Sequence, residues 1–365
     1  MNLENPVIYL DNAASTRPYP EVIEALARSS YDDFANSSSS HQLGKRCDDK
    51  VSAVSHLLLE DLNLEFEKYD VVFTSSATES NQWVIQNLPP DEKIFGFAGD
   101  HPSLVAAVEN WPNYESRNYY LSAFESSSQL LTLVNSQTGV MPIHWPTRTK
   151  KSQHIHLDAV QGYGKIQLNL HNIDFDTVSV CAHKHGGPKG IAALIKKKTV
   201  DLEPLLYGGG QQKGLRSSTL PVPLIVAWGE AIKKNKKNLN ANLENARQLK
   251  KQLSEFFLSL GTGIELPFEF GDWQTSPFIL MVVMKKIKSD VVMRFLQEQN
   301  IFISSTTACN SKNQKFNSIF QAWGLPLEYH KNVLRISLSP ETSVDDIAIF
   351  QDVFLKTFRS LEALI

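Results

Sequence analysis

The sequence has few cysteines and no excess of charge of either sign. Only three cysteines, Cys47, Cys181 and Cys309, occur among 365 residues, so they cannot all pair and are too few for a disulfide framework. The 36 basic and 39 acidic side chains give a net charge of −3, which offers no basic surface to nucleic acid or to an anionic membrane. We therefore expect a reduced, cytoplasmic protein that does not bind nucleic acid directly.

The sequence also lacks a long apolar run. The apolar stretch SPFILMVVM at residues 276–284 is far shorter than the roughly 20 residues that a membrane-spanning helix needs. The first residues, MNLENPVIYLDNAAS, contain no basic region followed by an apolar one, so we expect no signal peptide. Hydrophobic residues make up 42% of the chain, which is ordinary for a globular protein with a full core and no membrane partner.

Strand-like and helical segments alternate over much of the chain. The run VVFTSS precedes the helical ATESNQWVIQNL, and KIFGFAG precedes PSLVAAVENW. Further strand-like runs are QLLTLVNS, HIHLDAVQ, TVSVCAHK and GIAALIKK. This alternation predicts an α/β fold with βαβ units on a mainly parallel sheet that is buried on both faces.

The pattern changes after a polar-faced helical segment at about residues 224–260. Strand, helix, strand, strand and helix follow, with IFISS as one of the strands, and Ser343 and Asp346 form a capping-box start to the last helix. We expect a large α/β domain over residues 16–240 and a smaller α+β domain that combines residues 1–15 and 241–365.

One polar loop follows the predicted strand VVFTSS and opens a helix. Ser75, Ser76, Ala77 and Thr78 there offer hydroxyls and backbone N–H groups at a helix N-terminus, an arrangement that suits a phosphate. The alternative is simple N-capping by Ser or Thr.

The strand HIHLDAVQ carries polar side chains on one face. His154, His156 and Asp158 alternate along it, and Gln161 lies just past its end. A buried carboxylate is rare unless it is paired, so Asp158 should have a cationic partner. A zinc site is the alternative, although the motif lacks a following histidine and no Cys/His cluster elsewhere has ligand spacing.

A lysine stands at the end of another predicted strand, in CAHKHGGPKG at residues 181–190. His101 follows the strand KIFGFAG, where it either caps a helix or contributes to a site. In open α/β sheets, ligands bind beyond the carboxyl ends of the strands. A glycine-rich loop, YGGGQQKGLRSSTLPV at 207–222, carries Arg216, Ser217, Ser218 and Thr219.

These groups match the needs of pyridoxal phosphate. That cofactor takes a lysine on its aldehyde, a carboxylate on its ring nitrogen, an anion-binding loop for its phosphate and a flat ring against its face. Lys184, Asp158, Thr78 and His101 supply these four functions in turn.

The motifs together resemble the cysteine desulfurases of the class V aminotransferases, which are PLP-dependent transferases of fold type I. The likeness covers nearly the whole chain, in the family's order, through YLDNAAST (9–16), FANSSSSHQLGKR (34–46), FTSSATESN (73–81), HLDAVQGYGK (156–165), AHKHGGPKG (182–190), GGGQQKGLRSSTLPV (208–222), SSTTACNS (304–311) and LRISLS (334–339).

The resemblance implies a role at the cofactor for each matching residue. Lys184 would bind pyridoxal 5'-phosphate covalently, Asp158 would pair with the ring nitrogen, and Gln161 would hydrogen-bond the ring hydroxyl. His101 would stack on the ring and assist proton transfer. The other cofactor contacts that it implies are Ala77, Thr78, Asn135, Cys181 and His183, joined by Thr219 from the other subunit of a homodimer.

The same resemblance implies the substrate and the reaction. Arg335 would clamp the carboxylate of L-cysteine, a two-pronged contact that suits a guanidinium, and Asn36 would contact the substrate as well. Cys309, on a small and polar loop, would attack the substrate sulfur and carry a persulfide. L-alanine would leave, and the sulfur would pass to an acceptor such as an iron–sulfur scaffold or a tRNA-thiolation protein.

Several residues depart from the family pattern. Ser136 and Gln137 stand where the family usually has Asn and Glu, and Cys181 stands where it favours serine, a better hydrogen-bond donor. Two alternatives therefore accompany the desulfurase interpretation: another class V lyase or aminotransferase in which Cys309 is idle, and a catalytically weakened homologue that acts mainly as a binding partner.

Overall fold

The structure is a computed structural model that describes residues 7–118, 120, 127–151, 153–305 and 316–363. Within those ranges, no helix combines the length and the apolar character needed to cross a bilayer. The helices are α1 (Pro20–Asp32), α2 (Gln42–Asp61), α3 (Ala77–Gln86), α4 (Pro102–Val108), α5 (Val222–Ser259), α6 (Ser289–Glu298), α7 (Phe316–Ala322) and α8 (Val344–Glu362).

The strands are mostly short. They are β1 (Ile8–Tyr9), β2 (Tyr69–Thr74), β3 (Ile94–Gly96), β4 (Tyr114–Ser116), β5 (Ser128–Thr132), β6 (Val140–Met141), β7 (Ile155–Asp158), β8 (Thr177–Cys181), β9 (Ala192–Lys197), β10 (Ile264–Glu265), β11 (Gln274–Thr275), β12 (Ile279–Met284), β13 (Ile301–Phe302), β14 (Ser304–Ser305) and β15 (Val333–Ser337).

A seven-stranded sheet in the order β2-β9-β8-β7-β5-β3-β4 forms the centre of the fold. Only β9 runs antiparallel to its neighbours, so the predicted α/β fold with a mainly parallel sheet is confirmed. Every residue of β5, β7 and β8 is buried, as expected for a sheet covered on both faces. Because β2, β5, β7 and β8 run in the same direction, their carboxyl ends meet at one edge.

A four-stranded antiparallel sheet, in the order β10-β12-β15-β14, lies in the C-terminal part of the chain. The run IFISS, predicted as one strand, forms two, because β13 pairs with β1 while β14 pairs with β15. The predicted capping box at α8 is confirmed: Ser343 Oγ accepts from the Asp346 amide, and the Asp346 carboxylate accepts from the Ser343 amide.

The 38-residue helix α5 packs against two separate hydrophobic clusters. Its first part, through Ile232, lies in the cluster of the large sheet, and its later part, from Leu243 to Phe257, lies in the cluster of the antiparallel sheet. Residues near Trp323 also pack on the first cluster. The proposed domain boundaries at 15/16 and 240/241 stay a prediction.

Candidate active site

A cavity of about 180 Å³ lies at the carboxyl edge of the large sheet. Thr132 ends β5, Asp158 ends β7 and Cys181 ends β8, so parallel strands deliver their side chains to one place. Eight of the residues singled out in the sequence line this cavity together: Ala77, Thr78, His101, Asp158, Gln161, Cys181, His183 and Lys184.

The Lys184 side chain reaches back towards the N-terminal segment. It lies in a short 3₁₀ turn directly after β8, and its Nζ donates to the carbonyls of Ala13 (2.7 Å) and Ala14 (2.8 Å). Burial lowers the pKa of this amine below its ordinary value. Lys184 therefore carries a neutral, nucleophilic amine more readily than an exposed lysine does.

Residues 11–16, which we call the strap, form hydrogen bonds with several of the residues that line the cavity. The Ala13 carbonyl also accepts a hydrogen bond from Gln161 Nε2 at 2.8 Å. Thr16 Oγ1 donates to the Lys184 carbonyl at 3.0 Å, and Ser15 Oγ lies 3.3 Å from His183 Nδ1. The strap thus contacts three cofactor-site candidates, largely through its backbone.

Asp158 is buried, with 4% of its surface exposed, and the described residues of the chain do not supply the expected cationic partner. Among the described residues it forms no ion pair within 4 Å; its oxygens accept instead from Asn81 Nδ2 and from the Val160 amide, both at 3.0 Å. Neutral donors therefore hold the Asp158 side chain, which also lines the cavity.

The histidines that suggested zinc are engaged in hydrogen bonds. Nitrogens of His154 and His156 both lie 2.9 Å from Thr177 Oγ1, and His156 contacts Asn81 with its other nitrogen. Burial lowers the pKa of His154 to about 4 and that of His156 to about 3. No three His, Cys, Asp or Glu side chains are grouped as metal ligands in the part of the chain that the structure describes.

His101 both caps α4 and lines the cavity. Its Nδ1 accepts from the Ser103 amide at 3.1 Å and lies 2.8 Å from Ser103 Oγ. Burial lowers the pKa of the imidazole. Because a backbone amide can only donate, Nδ1 carries no proton, and the single proton of the neutral ring is on Nε2.

The N-terminus of α3 forms the end of the cavity that suits a phosphate. Ser76 caps the helix through the Glu79 amide, and Ser76, Ala77 and Thr78 line the cavity. Ser75 does not; its hydroxyl donates to the Glu79 carboxylate, which pairs with Arg216 at 2.8 Å. Capping and anion binding are thus compatible here.

Cys181 and His183 adjoin that end of the cavity. Burial raises the pKa of the Cys181 thiol to about 11 and lowers the pKa of His183 to about 4. Both side chains are therefore neutral near pH 7, and each has a proton that can be donated to an anion.

Asn135 does not line the cavity, although the resemblance implied a cofactor contact there. Its amide Nδ2 donates to the Gly99 carbonyl at 2.9 Å, and its oxygen accepts from the amides of Gln137 and Thr138. It therefore orders its own turn, and the neighbouring Ser136 lines the cavity instead.

The remaining candidates lie away from the cavity lining. Arg335, on β15, is 5% exposed; its guanidinium donates to Asp11 Oδ1 at 2.7 Å and to the Ser136 carbonyl at 3.0 Å. Asn36 is exposed and accepts from the Ser38 amide, and Thr219 is exposed on the glycine-rich loop. Cys309 lies outside the described residues.

Sequence reasoning missed several residues of the site. The acceptors for Lys184 are backbone carbonyls, for which residue type gives no signal. Asn81 and Ser103 connect Asp158 with His101. Lys165 is fully buried with its Nζ 3.4 Å from Gln161 Oε1, and burial lowers its pKa to about 7; its place in the HLDAVQGYGK motif was the available signal.

The arrangement defines a class of protein. The family model for aminotransferase class-V matches residues 8–117 and 130–350, and the chain belongs to that family. Within it, the chain matches cysteine desulfurases over nearly its full length. The protein named cysteine desulfurase from Trichormus azollae is 30% identical, over 98% of this chain and 94% of its own.

Two more comparisons agree. The cysteine desulfurase IscS of Methanosarcina thermophila is 25% identical over 95% of this chain and 91% of its own. The solved structure of a NifS-like protein from Rickettsia africae ESF-5 has a TM-score of 0.85 and 26% identity, covering 97% of this chain and 100% of that one. This chain is accordingly a PLP-dependent enzyme of the cysteine desulfurase type, with the predicted fold type I.

The residues present fit that cofactor. An amine, a buried carboxylate, an imidazole and a helix N-terminus surround one cavity. These are the four kinds of group that pyridoxal phosphate requires from a protein.

Proposed function

We propose that this chain desulfurates L-cysteine to L-alanine with pyridoxal phosphate bound in the cavity around Lys184. The observation that carries the proposal is the convergence of the Lys184 amine, the Asp158 carboxylate, the His101 imidazole and the N-terminus of α3 on one cavity. Relatives that carry the name cysteine desulfurase over nearly the whole chain support the reaction.

When bound, the cofactor supplies an aldehyde that bonds to amines and a ring that withdraws electrons from the substrate α-carbon. Lys184 provides the amine, whose pKa burial has lowered. Asp158 is the group for the ring nitrogen and Gln161 the group for the ring hydroxyl. The backbone N–H groups at Ala77 and Thr78 bind the phosphate with the help of the helix dipole.

Proton transfer in this site uses two groups of the chain. His101 presents its Nε2 proton, because Nδ1 is occupied by the Ser103 amide. The Lys184 amine, when it is free, is held by the Ala13 and Ala14 carbonyls and is close enough to the cavity to accept a proton from substrate.

Arg335 is the group for the substrate carboxylate. Its Nε is buried without a hydrogen-bond partner among the described residues, so an anion is needed to complete its donors. Ser304 of β14 is in register with Arg335, and the segment that contains Cys309 follows β14. These positions support a substrate whose carboxylate and sulfur are handled by neighbouring parts of the chain.

Cys309 is the nucleophile in this proposal. Its thiolate attacks the substrate sulfur, the carbon–sulfur bond of cysteine breaks, and the sulfur stays on Cys309 as a persulfide while alanine leaves after protonation at the former sulfur-bearing carbon. A thiol of an acceptor protein then takes the terminal sulfur by exchange. The persulfide sulfur and alanine together account for every atom of the substrate. The carbon that loses sulfur keeps the electron pair of the broken bond and is reduced, while the sulfur is oxidised to the persulfide level, so no external oxidant or reductant is required.

The proposal includes a homodimer and a cytoplasmic location. Thr219 lies on the same exposed loop as Tyr207, which is 78% exposed, and Leu206, which is 41% exposed. A second copy that covers these apolar side chains would bring its own Thr219 towards the phosphate end of this site. The cytoplasmic location rests on the small number of cysteines.

Borohydride trapping tests the cofactor assignment. The holoenzyme is reduced, digested and analysed by mass spectrometry, and we expect the pyridoxyl group on Lys184. The variant Lys184→Ala should lose the adduct, whereas Lys189→Ala, which changes an exposed lysine of the same loop, should keep it. An unmodified Lys184 in the reduced wild type contradicts the proposal.

Mass spectrometry after incubation with L-cysteine tests the sulfur transfer. We expect one added sulfur atom on Cys309 and alanine in solution, and Cys309→Ser should abolish both. Cys47→Ser is the matched control, because the Cys47 thiol is buried against the Asp33 carbonyl. Undiminished sulfide release by Cys309→Ser would favour another class V lyase.

A further inference from the structure

Asn81 is a fully buried residue of α3 that none of the roles above uses. It is 0% exposed, and each polar atom of its side chain has a partner. Its Nδ2 donates to Asp158 Oδ2 at 3.0 Å and to Ser103 Oγ at 2.9 Å, and its Oδ1 lies 3.0 Å from His156 Nε2. One amide thus links Asp158, at the end of β7, with Ser103 in the first turn of α4, the helix that His101 caps.

The direction of each hydrogen bond follows from chemistry. A carboxylate can only accept, so the Asn81 amide presents its NH₂ group to Asp158; the reversed amide would place two acceptors in contact. Ser103 Oγ accepts from Asn81, and its own proton is then available for His101 Nδ1. The bridge from Asp158 to His101 is therefore complete and has one orientation.

The hydrogen bonds on the Oδ1 side of the Asn81 amide continue through His156 and His154. The imidazole of His156 is neutral, so its Nε2–H donates to Asn81 Oδ1 and its Nδ1 accepts from Thr177 Oγ1–H. His154 Nε2–H in turn donates to Thr177 Oγ1. Each group has one possible role, and the chain of donors points towards Asp158.

We propose that Asn81 is a positioning residue that orients the Asp158 carboxylate towards the cofactor ring and holds the His101 imidazole at a fixed relation to it. The inference rests on the proposed function, since it assigns Asp158 to the ring nitrogen. Asn81 itself lies behind these two residues and does not line the cavity.

Removing the amide should change the protonation of the cofactor. Without its Asn81 donor, the Asp158 carboxylate is free to rotate away from the ring. A ring nitrogen without its anionic partner holds its proton less tightly, which weakens the electron-withdrawing power of the ring. A residue that merely fills the core would not have this effect.

The experiment compares Asn81→Leu with Asn87→Leu in the holoenzyme. Asn87 is the C-cap of the same helix, and its side chain contacts Trp83 and Glu203 rather than the cavity. The readouts are the ¹⁵N NMR shift of ring-labelled pyridoxal phosphate, kcat and KM for L-cysteine, and the melting temperature. Borohydride trapping at Lys184 first establishes that each variant holds the cofactor.

We expect Asn81→Leu to move the ring-nitrogen signal towards its unprotonated position and to lower kcat about 10- to 100-fold, the scale on which residues that orient metal ligands act, with KM changed less than about threefold. Asn87→Leu should leave the ring signal unchanged. If Asn81→Leu does not fold, Asn81→Ser, which creates no new apolar contact, is read by the same ring signal.

The inference is overturned if the variant that folds keeps the wild-type ring signal and a kcat within about twofold of wild type. A lower melting temperature does not change that conclusion. Failure of the trapping reaction in the wild type is a different result, because it contradicts the proposed function and not the role of Asn81 alone.

Discussion

The sheet edge and the strap both contribute to the surroundings of Lys184, and they do so by different chemistry. The sheet edge presents side chains, such as Asp158 and His101, that are fixed by a buried network of other side chains. The strap presents the carbonyls of Ala13 and Ala14. The contribution of the sheet edge thus depends on residue type, whereas the hydrogen bonds from the strap to Lys184 depend on backbone position.

Gln161 forms the junction between the sheet edge and the strap. Its Nε2 donates to the Ala13 carbonyl of the strap, and its Oε1 lies 3.4 Å from the Nζ of the buried Lys165. No carboxylate pairs with Lys165 among the described residues. A buried amine thus lies next to Gln161, and three substitutions test how much each part of this region contributes.

The largest effect is expected for Lys165→Met, which sharpens the comparison at the junction. Burial lowers the pKa of Lys165 to about 7, against about 10.4 in the unfolded chain, so charging this amine destabilises the fold. The cost is fully present below pH 7 and disappears as the pH rises towards 10, because only the unfolded chain then binds the proton. The gain in unfolding free energy should be on the order of 4 kcal/mol at low pH.

Urea unfolding of the cofactor-free protein at pH 6.5 and pH 9.5 measures this difference. The unfolding free energy of Lys165→Met should exceed that of the wild type by more at pH 6.5 than at pH 9.5. Lys189→Met, at an exposed lysine, should show the same small difference at both values. An equal gain for Lys165→Met at the two pH values would mean that protonating the buried amine does not destabilise the fold.

The next effect tests the strap through Arg335→Lys. The guanidinium bridges Asp11 of the strap and the Ser136 carbonyl, and an ammonium cannot make both contacts and still bind a carboxylate with two donors. We expect KM for L-cysteine to rise roughly 30-fold, equivalent to about 2 kcal/mol for a buried charged contact. Steady-state kinetics measure it.

Arg247→Lys, at an exposed arginine of α5 that pairs with Glu244 three residues away, is the matched control and should leave KM unchanged. A fall in kcat at constant KM for Arg335→Lys would assign the arginine to a step after substrate binding and weaken the proposed carboxylate contact.

The smallest effect is expected for Cys181→Ser at the sheet edge. The buried thiol, whose pKa is raised to about 11, is a weaker hydrogen-bond donor than a hydroxyl. Serine should tighten binding of pyridoxal phosphate by about 1 kcal/mol, roughly fivefold in Kd. Equilibrium titration followed by absorbance measures Kd, with Cys47→Ser as the control. Weaker binding by Cys181→Ser would show that the thiol is packed and does not face the phosphate.

The sequence allowed the sheet edge to be predicted in detail. Strand periodicity placed Asp158 and Cys181 at strand ends, and parallel strands bring such ends together. The positions of His101 and of Ala77–Thr78 followed from the same rule. The neutral donors of Asp158, from Asn81 and Val160, were not predicted, because an amide gives no charge signal in the sequence.

Asn135 shows a second limit. The resemblance implied that Asn135 contacts the cofactor, but the conformation of the turn decides whether Asn135 or Ser136 faces the cavity. The Asn135 side chain accepts hydrogen bonds within that turn, and Ser136 is the residue that lines the cavity.

The residue types and their spacing alone determined the α/β class, the lysine and carboxylate pair and the family resemblance, because strand periodicity and chemically specialised side chains are properties of the chain itself. Tertiary structure decided which backbone carbonyls receive Lys184, which amide orients Asp158 and where Arg335 finds Asp11. Those contacts join residues far apart in the chain, some through atoms that every residue has, so only the folded geometry could select them.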